Sequence, residues 1–177
     1  MIIGLVALAL CVPALVGAQT QVVALGAAQL TTITPVDTTE GKVFVFAVSV
    51  PSAPTGARLM SAVLELVVDV SSSLPAAARR NLATLEVAPL NGALSGPAVS
   101  EEDLRPTTMK RSVPIGTNRP VRVDVTEFVR YVLDNPEENY GIAVGSLEGS
   151  RSDRFELRSQ GQEVARLTIR YLPANQP

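Results

Sequence analysis

Apolar residues in this chain recur mainly at every second position, in short runs separated by Pro, Gly, Ser and Asn. Lys42–Val50 puts Phe44, Phe46, Val48 and Val50 on one side and Val43, Val45, Ala47 and Ser49 on the other, the period of a strand. Ala57–Val70 alternates more strictly, with Ala62, Leu64, Leu66, Val68 and Val70 against Ser61, Val63, Glu65, Val67 and Asp69. A helix is the competing assignment, but β-branched residues crowd its second half and favour a strand. Ala83–Pro89 resumes the alternation after Ser71–Asn81, which suits a loop with a helical turn. From Leu90 to Pro120, prolines and glycines interrupt repeatedly, so this region is expected to be loop with short strands at most around Met109–Ile115.

The last third is written more tightly. Val121, Val123 and Val125 predict a short strand, after which Thr126–Leu133 switches to helical spacing with Phe128, Val129, Val132 and Leu133 on one face. Asp124 or Thr126 can cap this helix, Glu127 follows Asp124 in a near capping-box pattern, and Asn135-Pro136 stops it. Tyr140–Leu147, Arg154–Ser159 and Val164–Tyr171 read as three further strands joined by turns at Glu148–Asp153 and Gln160–Gln162. The pattern predicts an all-β protein, an antiparallel β-sandwich with one short helix near residues 126–133.

The beginning of the chain is different. Residues 2–18 are uncharged, apolar and end in Val16, Gly17 and Ala18, which reads as a secretory signal cleaved before Gln19. Pro13 interrupts the run, and a spanning helix needs about 20 apolar residues, so a membrane anchor is disfavoured. Residues 19–41 are then expected to be an extended entry segment with a first strand beginning near Ala24, and residues 42–177 a single sandwich domain. Cys11 falls within the leader, so the exported chain would form no disulfide and rely on its apolar core. Thirteen Arg against two Lys, and no Asn-x-Ser/Thr sequon, fit a bacterial exported protein, extracellular or periplasmic.

Composition removes several chemistries. The chain has no His, which excludes Ser-His-Asp and Cys-His catalysis and His-ligated metals. A net charge of −2 offers no footprint for nucleic acid. Ser146 lies in Gly145-Ser-Leu-Glu-Gly149, which lacks the spacing of a nucleophile elbow and suits a β-turn.

The segment Val121–Leu147 followed by FELRS and ARLTIRY resembles the jelly-roll domains called DNRLRE domains, classed among carbohydrate-binding modules, and is similar to the related C-terminal pattern of the growth-factor propeptide fold. The residues that carry the resemblance are Asp124, Val125, Thr126, Asn139, Gly141, Phe155, Ser159, Leu167, Ile169 and Tyr171. It implies a jelly roll and a non-catalytic role binding a polysaccharide or another component of the cell envelope. The family's helix usually carries a Trp where this chain has Tyr131, and its central loop carries Trp where this chain has Glu101–Met109.

Candidate chemistry is correspondingly sparse. Of seven aromatic residues, five fall on expected buried sides, leaving Tyr131 and Tyr140 for stacking on a sugar ring. Arg154 and Arg158, with Arg151, Arg166 and Arg170, form either a basic stripe for an anionic ligand or a solvated face paired to Glu156 and Glu163. Glu101, Glu102 and Asp103 offer oxygen donors for a structural calcium ion, or form a solvated acidic turn. Asp134, Glu137, Glu138 and Asn139 are read as surface. The second class of function is a structural or adhesive subunit that assembles with itself or a larger envelope protein through its apolar N-terminal strand.

Overall fold

A computed structural model of the chain describes residues 18–26, 30–35, 43–72, 82–94, 96, 98–106, 109–116, 118–147, 153–158, 160 and 162–174. Residues 1–17 of the expected leader, residues 73–81 of the loop expected over Ser71–Asn81, residues 148–152, which include Arg151, and Ser159 lie outside the described residues.

The strands are β1 (Gln19–Gly26), β2 (Leu30–Pro35), β3 (Val43–Phe46), β4 (Arg58–Ser72), β5 (Leu82–Pro89), β6 (Ala98–Val99), β7 (Met109–Pro114), β8 (Arg119–Asp124), β9 (Ile142–Gly145), β10 (Asp153–Arg158) and β11 (Glu163–Leu172). One α-helix, α1 (Thr126–Asp134), lies between β8 and β9. Four antiparallel pairings nest inside one another along the chain: β1 with β11, β3 with β9, β4 with β8, and β5 with β7. Folding this nested hairpin over produces two sheets, one built from β1, β11, β4, β10 and β8 and the other in the order β6-β2-β3-β9-β5-β7. That is the jelly-roll arrangement of a β-sandwich.

β4 explains why the sheets meet as they do. Its alternation delivers Ala62, Leu64, Leu66, Val68 and Val70 to the interior, each at most 1% exposed. Opposite them lie Phe44, Phe46, Leu85, Val87, Ile142 and Val144 of the second sheet. β8 takes one edge of β4 over Val63–Val68, so β10 and β11 share the other, lying end to end as one strand interrupted at 159–162. A register shift leaves Met60 exposed and lets Leu59 pack against the core opposite Tyr171.

The stretch expected to be an entry segment holds two strands. β1 begins at Gln19, five positions before Ala24, and pairs with β11 from Gln19 to Gly26. Polar Gln and Thr sit on both faces of β1, which hides a strand whose existence is set by backbone pairing. β2 extends the second sheet beside β3.

The Pro- and Gly-rich region after Leu90 also does more than connect. Leu90, Leu94, Val99 and Leu104 fold over the outer face of the second sheet and bury Val43, Val45 and Ala143 in a second apolar cluster. Its ends are clasped by a bridge between Leu90 and Leu104 and by the Arg105 N–H donating to Pro89 O at 2.9 Å. Beneath it Glu86 is fully buried, its Oε2 accepting the Leu147 N–H at 2.7 Å. Among the described residues no helix is long and apolar enough to cross a membrane.

Gly141 sits close against neighbouring backbone. Its φ is +101°, and a Cβ there would lie 2.4 Å from the backbone oxygen of Phe46. Gly141→Ala is expected to lose about 2–4 kcal/mol of stability, because it combines backbone strain with an immovable steric clash. Urea unfolding of the two proteins measures it, and a change below about 0.5 kcal/mol would show that this approach is not required.

Candidate functional site

The helix that carries Tyr131 is fixed by its first residues. The Asp124 carboxylate accepts the Thr126 N–H at 2.9 Å and its hydroxyl at 2.6 Å, while Thr126 Oγ1 accepts the Ala62 N–H at 2.9 Å. These bonds hold the Asp124 carboxyl below its ordinary range, the Thr126 hydroxyl contributing most. Val125 holds the N-cap position and no side chain caps the helix; Asp124, one residue earlier, accepts the first helical N–H, and Glu127 pairs with Arg130 at 2.5 Å. Phe128, Val129 and Val132 face the core, which turns Tyr131 towards the neck of the Leu90–Arg105 excursion.

At that neck three side chains converge. The Arg105 guanidinium stacks on the Tyr131 ring, 3.9 Å from its centroid. Its Nε donates to Leu90 O at 3.2 Å and its Nη2 to Glu138 Oε2 at 3.0 Å. The Tyr131 hydroxyl donates to the same Glu138 oxygen. Glu138 is presented by a turn of 3-10 helix, Pro136–Glu138, that starts where Asn135 ends α1. Tyr131 and then Arg105 hold the Glu138 carboxyl below the usual glutamate range, and the bond to Glu138 raises the Tyr131 hydroxyl.

An open groove of about 360 Å³ runs beside this triad. Its apolar lining is Pro89, Pro106, Phe128 and the Tyr131 ring, and its polar rim is Arg105, Arg130, Glu127 and Asp134. Apolar walls with a few fixed donors and acceptors are the usual composition of a small-ligand site.

The residues singled out from sequence do not converge. Tyr131 lines the groove, but Tyr140 is 39% exposed beyond the 3-10 turn and is not part of the lining. Arg154 and Arg158 sit opposite Ser71 and Val67 of β4, nine and five positions from Ala62, where the helix is anchored. At about 3.3 Å per residue they lie about 30 and about 17 Å along the strand from that anchor. Arg158 is paired with Asp69 at 2.6 Å, Arg166 with Glu163 at 2.6 Å and Arg122 with Glu65 at 2.5 Å, so the outer face carries a ladder of opposite charges. The acidic run forms a 3-10 turn, Glu101–Asp103, in which the Asp103 carboxylate accepts the Ser100 N–H and hydroxyl, each at 2.8 Å. Those bonds hold the Asp103 carboxyl down and turn it inward on its own loop. Glu102 is exposed, and among the described residues no three acidic or sulfur side chains are grouped to hold a metal ion.

Arg105 and Glu138 are the groups that sequence reasoning passed over. Glu138 lies at the surface as its carboxylate cluster predicts, its side chain 44% exposed, and it is also the hub of the triad. Leu104-Arg-Pro106 carries no periodic signal, and only the clasp at Pro89 and Leu90 brings Arg105 to the helix. No protein-family model and no curated protein matches this sequence.

The lowered Glu138 carboxyl fixes the sign of the acid response. Its contribution is fully present above the ordinary glutamate midpoint, about pH 4.3, and is lost as the pH falls through the lower folded value. With no Trp in the chain, near-ultraviolet circular dichroism reports tyrosine and phenylalanine alone. The Tyr131 signal is expected to hold through pH 4.3 and change below it. In Glu138→Gln that acid-dependent step should disappear, and its persistence would assign it to another group.

Proposed function

We propose that this protein is an exported, non-catalytic jelly-roll domain that binds a polysaccharide or a related polyhydroxylated component of the cell envelope in the groove between α1 and the Leu90–Arg105 excursion. The observation that carries the reading is the triad, in which an aromatic ring, a guanidinium and a carboxylate are held in place before any ligand arrives. Sugar rings offer apolar faces to pack on Tyr131 and Pro106, and hydroxyls that pair with Arg and carboxylate groups. Preorganised polar groups limit the ordering cost of binding. The resemblance to DNRLRE-type domains points to the same class of ligand.

Tyr131 and Arg105 favour the ionised form of Glu138, which suits its carboxylate to accept hydrogen bonds from ligand hydroxyls. Export is supported by the leader and by the position of β1, which begins at Gln19, the residue that cleavage would make the first. The second reading, a subunit that assembles with itself, is favoured by the uncharged edge strand β1.

Co-sedimentation of the full chain with insoluble polysaccharides and cell-wall preparations tests the binding reading. Retention on at least one polymer is expected, with Tyr131→Ala and Arg105→Ala each weakening it by about tenfold or more, the scale of one or two lost contacts of 1–2 kcal/mol. Arg158→Ala, on the charge ladder, should leave it unchanged. Absence of retention on every polymer, or equal loss in all three variants, would overturn the groove as the site.

A further inference from the structure

The outer edges of the sandwich are not equally protected. β8 carries Arg119, Pro120, Arg122 and Asp124; β10, paired only with β4, carries Asp153, Arg154, Glu156 and Arg158; β7 carries Lys110, Arg111 and Pro114; β6 has two residues, and β2 beside it ends in Pro35. Charge, proline and shortness are the usual means of preventing an edge from pairing with another strand. β1, QTQVVALG, has none of them: eight residues without a charge or a proline, regularly registered with β11 until the shift after Leu25. Among the described residues no strand pairs with its other edge. An antiparallel edge directs the N–H and C=O of alternate residues outward, where another strand satisfies them. At the middle of the regular stretch Gln19–Leu25 stands Val22, 58% exposed and the most exposed of the large apolar side chains among the described residues.

We propose that β1 pairs antiparallel with β1 of a second copy of this chain, about a two-fold axis passing through Val22, so that the β1-containing sheets of the two copies join into one. The strand is suited to its own copy. Centring the axis on Val22 sets Gln21 opposite Val23, Thr20 opposite Ala24 and Val22 opposite itself, so outward residues meet outward ones and inward residues inward ones. In this isologous contact a charge on the axis would face its like, and a strand with no charge escapes that repulsion. Burying two facing Val22 side chains also removes an apolar group from water at the centre of the contact. β1 belongs to one sheet and the groove to α1 and the far side of the other, so this pairing holds whether or not the groove takes a polysaccharide.

The full chain, expressed with its leader and purified as the cell releases it, tests this by light scattering over a concentration series. Wild type is expected at twice the mass of one chain at tens of micromolar. Val22→Lys and Val22→Glu, each placing like charges on the axis, should dissociate on the order of 100-fold more readily. Their melting temperatures, read at concentrations where wild type is monomeric, should match wild type because Val22 is exposed. Mixed together, the two variants should restore a dimer containing one of each, since the axis then pairs Lys with Glu. A monomer at millimolar wild type, dimers that survive either substitution, or no rescue on mixing would each overturn the proposal. Polysaccharide retention by the monomeric variants separates a failure here from a failure of the groove.

Discussion

Pairing along both edges of β4 is the constraint on which the rest of the molecule depends. Its fifteen residues give β8 one edge and the broken strand β10–β11 the other, while every second side chain passes into the interior. Fully burying a Val or Leu side chain contributes about 1.5–3 kcal/mol, and five consecutive inward positions concentrate that term on one strand. The stretch from Gln19 onward contains no cysteine, so no crosslink shares the task. β4 also sets the place of the helix, because the Ala62 N–H is accepted by Thr126 Oγ1 and the Ala62 carbonyl by the Val125 N–H.

From that anchor the groove follows by short steps. A helix held at its first turn, with Phe128, Val129 and Val132 turned inward, can present Tyr131 in only one direction. The excursion after β5 has to return because its apolar residues are held on the outer face of the second sheet, and its return point is Arg105. Glu138 joins the two, accepting from both, and each bond favours the ionised carboxylate that the other also needs. The triad is thus a fastening between two independently anchored elements, and the groove is the space that remains beside it.

Much of this was legible in the order of residues. Strict alternation located β4 and the inward faces of β3 and β5, and the change of period at Thr126 located α1 with its buried face. β1 escaped because Gln and Thr on both faces leave no binary pattern, and its strand exists through β11, some 140 residues away in sequence. The cover over the second sheet escaped for a related reason: Leu90, Leu94, Val99 and Leu104 are too widely and unevenly spaced for either period. The site was visible only in its aromatic member. Tyr131 stood out as an aromatic off the helix's buried face, whereas Arg105 and Glu138 become significant only when a loop closure and a 3-10 turn bring them to it.

The residues that carry the family-like pattern have structural tasks in this molecule, and that separates the two things such a pattern can convey. Asp124 and Thr126 pin the helix to β4, the Asn139 amide donates to Val48 O at 2.6 Å, and Gly141 permits the backbone to pass Phe46. Phe155, Leu167, Ile169 and Tyr171 are core. Each of these positions is constrained by packing or by a bond internal to the sandwich, so the pattern can persist wherever the jelly roll does. Arg105, Tyr131 and the groove rim carry no such burden beyond fastening one loop to one helix. Those positions can therefore change while the scaffold pattern stays, which is why a motif that specifies the architecture says little about the groove beside it.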